Sequence, residues 1–196
     1  MSLSVVYENF WHKLCLILGD KTIVTDTTHP VIFDGHNDVL LKLHRAGGLT
    51  ASETFVTGRE GAIDMPSAAA GGFGGGFFAV YVPSPTDLDF KFEEMSKASY
   101  DLPLPEPIDW EDAFPVVMAQ AAVLFDLEKR GALKVCRTAA DLRATLGGGK
   151  MAAIFHIEGA EAIDAELNTL EVLYQAGLRS IGPVWSRPTI FGHGVP

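Results

Sequence analysis

Four short apolar runs, with helical patterns between them, constrain what this chain can fold into more than any other feature. They cover residues 31–35, 77–82, 151–157 and 178–185. Runs this short, rich in Val, Ile and Phe and bounded by Gly, Pro or a charged residue, read as buried strands. Between the second and third lies the clearest helix, residues 110–130. Its Trp110, Phe114, Val117, Ala121 and Leu124 recur at steps of four and three and make one apolar stripe. Asp109 or Asp112 is placed to cap its start, Pro115 fits only if it falls within the first turn, and Gly131 ends it. Residues 133–137 read as a short strand or connector. Thr138 caps a helix through Leu146, and Leu167, Leu170, Leu173 and Ala176 mark one face of another that Gly177 ends. Strand, helix, strand in succession implies right-handed crossovers, parallel pairing and an α/β fold. In such sheets the chemistry collects at the carboxyl ends of the strands.

Composition narrows the function classes. The chain has 196 residues, 47% hydrophobic and 20% charged, which fits one globular domain with a sizeable core. Its formal charge of -10 and lack of a basic patch argue against nucleic acid and against an anionic membrane surface. No apolar run reaches the ~18 residues of a membrane span. Residues 14–18 are too short for a signal core. Cys15 and Cys136 lie far apart with no CxxC, as expected of reduced thiols in a cytoplasmic protein. Residues 1–29 have no clear period and read as an N-terminal extension ahead of a domain at 30–196. Residues 47–60 read as polar surface, 83–107 as a Pro-rich loop over one rim, and 186–196 as an unstructured tail.

The first run leads into His36-Asn37-Asp38. In an extended chain residues two apart point the same way. An imidazole and a carboxylate then stand side by side at a strand's end, a ligand pair suited to Zn²⁺. The bland alternative is that Asp38 caps the next helix and His36 is incidental. Asp34 shares the same alternation. Glu158 ends the third run, and Ser186 and Arg187 follow the fourth, so these groups can converge. His156, two residues before Glu158, either orients that carboxylate or is a hydrogen-bonded interior histidine, which general experience favours. Glu161 reads as a cap for the next helix. Arg187 meets either a substrate carboxylate or surface acids. The glycines of residues 71–76 have no GxGxxG register, no Gly-Lys-Ser/Thr, and precede their strand. Close approach of backbone explains them better than a phosphate site. No G-x-S-x-G elbow is present.

Three segments together carry a resemblance. Phe33-Asp34-Gly35-His36-Asn37-Asp38, the stretch from Gly72 to Pro83, and Ile157-Glu158-Gly159-Ala160-Glu161-Ala162-Ile163-Asp164 with the later Leu173-Tyr174-Gln175-Ala176-Gly177-Leu178-Arg179 resemble the membrane (renal) dipeptidase family of zinc dipeptidases. The resemblance runs from residue 31 to residue 196. It implies a (β/α)₈ TIM barrel of the metal-dependent hydrolase type, with two Zn²⁺ ions in a complete site. It implies that His36 and Asp38 bind one zinc and that Glu158 bridges both as the catalytic carboxylate. A hydroxide shared by metals roughly 3.5–4 Å apart then attacks the peptide bond of a small dipeptide. Such a barrel typically needs ~250 residues, and the family's second zinc takes two histidines from later strands. The chain therefore reads as the first four β–α units, the N-terminal half. Where family members carry a substrate-binding histidine, this sequence has Trp185, whose indole donates one neutral hydrogen bond; His193 is a substitute to be weighed. Trp185 keeps open a related metal-dependent amide or lactone hydrolase, and the missing half keeps open a truncated fragment that binds metal weakly. Open sheet edges would also permit a homodimer that completes the barrel.

Overall fold

In the computed structural model residues 30–58, 61–84 and 96–194 are described; the proposed extension, residues 1–29, lies outside them. The first strand, β1, is Ile32–Asn37, and it runs straight into helix α1, Val39–Arg45. A 3₁₀ turn, Gly48–Ala51, and α2, Ser52–Thr57, follow. This stretch was expected to be plain surface, yet Phe55 is fully buried and Ala51 and Ser52 are buried beside it. Phe55, with Ala51 and Val56 beside it, docks this helical stretch on the core. Helix α3, Met65–Gly71, starts where the Asp64 carboxylate accepts from the Ser67 amide at 2.7 Å.

Strand β2 is Phe73–Tyr81, longer than the expected 77–82 at its start. Gly74, Gly75 and Gly76 lie inside the strand, not ahead of it, while Gly71 ends α3 and Gly72 follows it. The reason is backbone proximity. A Cβ on Gly75 would fall 2.1 Å from the Ala152 carbonyl oxygen, and one on Gly76 would fall 2.8 Å from Asp34 Cβ. Helix α4, Trp110–Lys129, matches its stripe in Val117, Ala121 and Leu124, all buried. Pro115 stands in its second turn instead of its first, at an exposed position where water can take the carbonyl it leaves unpaired. Short β3, Lys134–Val135, leads to α5, Ala139–Gly147, which opens with a capping box between Thr138 and Asp141. Strand β4 is Ala152–Glu158, helix α6 is Asn168–Ala176, and β5 is Leu178–Gly182. Leu167 is exposed at a φ of 61° ahead of α6, so that face begins with Thr169 and Leu173. Strand β5 stops three residues short of the expected end, before Pro183, which has no amide to donate.

All pairings between these five strands are parallel. The sheet runs β1–β2–β4, with β3 and β5 following one another along the far edge of β4. One face carries Phe78, Val80, Phe155 and Ile157, each no more than 1% exposed, packed with Leu40 and Leu43 of α1 and Leu124 of α4. Each such side chain contributes about 1.5–3 kcal/mol by leaving water. The other face carries Phe77, Tyr81, His156 and Glu158, all of intermediate exposure. It is on this second face that the candidate ligands gather.

Candidate metal centre

A bulge aims the first ligand. Asp34 pairs with Gly76 and Asn37 pairs with Phe78, so three steps along β1 match two along β2. The extra residue reverses the alternation. Asp34 therefore pairs on the Gly76 side and accepts a hydrogen bond from Asn37 Nδ2 at 3.1 Å. This corrects the expectation that Asp34 shares a face with His36. Asn37 is buried, and its Oδ1 accepts from the Val39 amide at 3.4 Å. That leaves Asp38, at the N-cap position of α1, with no capping hydrogen bond from its side chain. The bland reading of Asp38 fails for this reason, and its carboxylate turns to His36 instead.

Across the sheet, β4 delivers Glu158 at its last position. His36 Nε2 lies 3.5 Å from Asp38 Oδ1 and 3.3 Å from Glu158 Oε2. One ligand atom from each of the three lies within 4.8 Å of the others. Two ligands on one tetrahedral zinc, with bonds near 2.0–2.2 Å, stand about 3.4 Å apart. The donor set thus fits a zinc-sized cation. Burial pushes the Glu158 carboxyl above its usual range; the His36 imidazole opposes this, and the charges of Asp38 and Glu161 add to it. A cation relieves that accumulation of negative charge.

Beneath the ligands lies an aromatic floor. His36 meets the His156 ring edge to face at 5.8 Å, His156 meets Phe77 at 6.1 Å, and Phe77 meets Phe33 at 6.0 Å. His156 Nδ1 is 2.9 Å from Ser180 Oγ on β5. Burial, with the neighbouring His36, holds the His156 pKa down and favours a neutral ring. It is the hydrogen-bonded interior histidine expected, and it also touches a candidate ligand.

At the rim, Tyr81 pairs in register with Glu158. Gln120, fully buried in α4, holds the end of β2. Its Nε2 donates to the Tyr81 carbonyl at 2.7 Å and its Oε1 accepts from the Tyr81 amide at 3.2 Å. The Trp185 ring stands edge to face against Tyr81 at 5.3 Å, beyond the end of β5. His193 is exposed in the segment after the Thr189–Gly192 bridge. Tyr81 was within reach of sequence reasoning, since alternation from Phe77 places it on the ligand face. Gln120 had no such signal, being one polar residue on an apolar stripe.

Several expectations at this rim change. Glu161 does not cap α6; Asp164 does, accepting from the amides of Asn168 at 3.0 Å and Thr169 at 2.7 Å. Arg187 does not pair with a surface acid. It is 1% exposed and paired with Glu161 at 2.7 Å, so the segment after β5 is anchored and not a loose tail. Trp110, expected in the core, is 39% exposed and donates from Nε1 to the Ala162 carbonyl at 3.0 Å. A cavity of about 530 Å³ opens between Trp110, Ile163, Pro188 and Ile190, with Glu161 in its wall. It contains none of the three candidate ligands, so the chemistry is assigned to the ligand face and not to this cavity.

Comparison with known proteins finds relatives of one family. The model of the membrane dipeptidase family, peptidase family M19, matches residues 23–195. A metallopeptidase from Rhodobacter sphaeroides, crystallised with a phosphinate mimic of the dipeptide L-Ala-D-Ala, is 48% identical with a TM-score of 0.77. The match covers 84% of this chain and 48% of that one. A second solved structure, dipeptidase AC, is also 48% identical, with a TM-score of 0.75 over 84% of this chain and 47% of its own. A protein of Acinetobacter calcoaceticus from the PQQ-III 3' region is 31% identical over 85% of this chain and 52% of its own length. The chain spans about half the length of these relatives. No helix among the described residues is long and apolar enough to cross a membrane. With the family model matched over most of its length, the chain belongs to the membrane dipeptidase family, peptidase family M19.

Proposed function

We propose that the protein is a zinc-dependent dipeptidase that hydrolyses the peptide bond of small dipeptides. The observation that carries this is the convergence of His36, Asp38 and Glu158, within 4.8 Å of one another, at the carboxyl ends of two parallel strands. His36, Asp38 and Glu158 are the residues that would hold the metal. When bound, the metals supply Lewis acidity that polarises the scissile carbonyl and acidifies the attacking water. The chain's own residues orient and enclose. The rings of Phe33, Phe77 and His156 pack beside the ligands, and Ser180 fixes the tilt of His156. Tyr81, paired with Glu158, and Trp185, packed against Tyr81, form the wall against which a substrate side chain rests. The ligand of the Rhodobacter enzyme makes L-Ala-D-Ala the first substrate to test.

The test uses the full-length gene product. Release of free amino acids from L-Ala-D-Ala is followed before chelation, after it, and after Zn²⁺ is restored. Activity is expected to disappear and return. Glu158→Gln is expected to lose about 10²-fold or more, the several kcal/mol that metal-based charge stabilisation supplies. Undiminished turnover by chelated Glu158→Gln would overturn the proposal. One observation favours a second reading: Trp185, not an imidazole, stands against Tyr81. Turnover of an N-acyl amide or a lactone with none of any dipeptide would select a related metal-dependent amide or lactone hydrolase.

A further inference from the structure

Among the described residues Arg187 is the largest side chain that is fully buried, and it is charged. Its Nε donates to Glu161 Oε1 at 2.7 Å, its Nη1 to Ser84 Oγ at 2.8 Å, and its Nη2 to the Val82 carbonyl. Its guanidinium lies 5.4 Å from the centre of the Tyr81 ring. One side chain thus joins the segments that leave β2, β4 and β5. An ion pair so deeply buried is weak evidence for stability, because well-packed apolar residues of similar volume often serve as well or better. A planar fork of donors does what an apolar pair cannot. It fixes three acceptors in direction as well as in distance.

Those acceptors sit next to the candidate ligands. Gly159 follows Glu158 with a φ of 88°, and a Cβ there would lie 2.5 Å from Glu161 Oε2. The turn is therefore folded so tightly that the Glu161 carboxylate rests against the residue after Glu158. The same turn is tied to β5 through the Gly159 amide on the Gly182 carbonyl at 2.9 Å. Tyr81, which pairs with Glu158, touches both Arg187 and Trp185.

We propose that Arg187 is a positioning residue for the metal centre: gripping Glu161 and the end of β2, it sets the direction of Glu158 and the place of Trp185. This rests on the reading of His36, Asp38 and Glu158 as zinc ligands. The test measures Zn²⁺ affinity of the full-length product by competition with a chromophoric chelator. The visible spectrum of the Co²⁺ form and the melting temperature of the metal-free form accompany it. Arg187→Met leaves Glu161 charged and unpaired, and its effect on folding would mask the rest. The decisive variant is Glu161→Leu with Arg187→Met, which removes both charges. It is expected to melt within a few degrees of the parent yet bind Zn²⁺ about 10- to 100-fold more weakly, the usual loss when a group that orients a ligand is removed. Its Co²⁺ spectrum is expected to change as well. Arg187→Lys keeps the charge but not the fork, and is expected to bind Zn²⁺ between the two. Parental affinity and spectrum in the folded double variant would overturn the proposal. If the double variant does not fold, parental affinity in Arg187→Lys overturns it, and several-fold weaker binding upholds it. A parent whose Zn²⁺ binding is indifferent to His36→Ala would sink the zinc reading and this inference together. A parent that needs His36 beside an unimpaired double variant would sink this inference alone.

Discussion

Replacing Gly75 with alanine tests the frame that carries both sides of the metal centre. Gly75 begins the register that pairs β2 with β4 and ends with Tyr81 opposite Glu158. An added Cβ would lie 2.1 Å from the Ala152 oxygen and 2.8 Å from both the carbon and the nitrogen of that residue. These are backbone atoms of a fully buried residue in the middle of the sheet, so no rotamer relieves the clash. Overpacking of a tight core costs about 1–3 kcal/mol. The φ of 152° at Gly75, a region that only glycine occupies freely, adds about 1–3 kcal/mol. A loss of about 2–6 kcal/mol is expected, a large share of the roughly 5–15 kcal/mol that holds a typical domain. Gly71 is the control. It ends α3 on the surface, and an added Cβ there meets nothing within 4 Å. Gly71→Ala is expected to be neutral or to stabilise by about 0.4–1 kcal/mol through the unfolded chain. Urea unfolding of the full-length product, with both variants compared at equal slope, measures the two effects. A Gly75→Ala loss no larger than about 0.5 kcal/mol would show that the glycines supply flexibility and not close approach.

The acid limb of stability should depend on Asp164. The amides and hydroxyl of Thr169 and the amide of Asn168 hold its carboxyl down to about 2 in the folded protein. The free-chain value is near 3.9, so its contribution is present above that pH and lost as pH falls toward 2. The melting-temperature gap between parent and Asp164→Ala should accordingly close over that window, and a gap constant from pH 6 to pH 2 would contradict it. Trp185→His should shift relative kcat/KM among dipeptides with different side chains, and an unchanged profile would remove Trp185 from substrate contact. Saturating Zn²⁺ should raise the melting temperature of the parent but not of His36→Ala, since a ligand that binds only the folded state stabilises it by mass action.

The sequence carried the parallel β–α order because apolar runs and helical stripes are local patterns, and each strand and major helix lies where its pattern is densest. It also carried the convergence of His36, Asp38 and Glu158, since the ends of parallel strands are neighbours whatever joins them. What it did not carry depends on pairing between distant segments. The bulge that separates Asp34 from His36 exists only in the pairing of β1 with β2, where three steps along one strand meet two along the other. The start of β2 at Phe73 is visible only once Ala152 lies against Gly75. Glu161 looked like a helix cap because a carboxylate shortly before a helix usually is one; Asp164, three residues on, already had the Asn168 and Thr169 amides. That left Glu161 free to turn inward, where only a cation could make its burial tolerable. Arg187 lies 26 residues away, in a stretch with no period at all. An isolated arginine after a strand looks the same whether it faces water or lies 1% exposed. Its role can be read only from what surrounds it, and those surroundings, Val82, Ser84 and Glu161, come from two other strand ends.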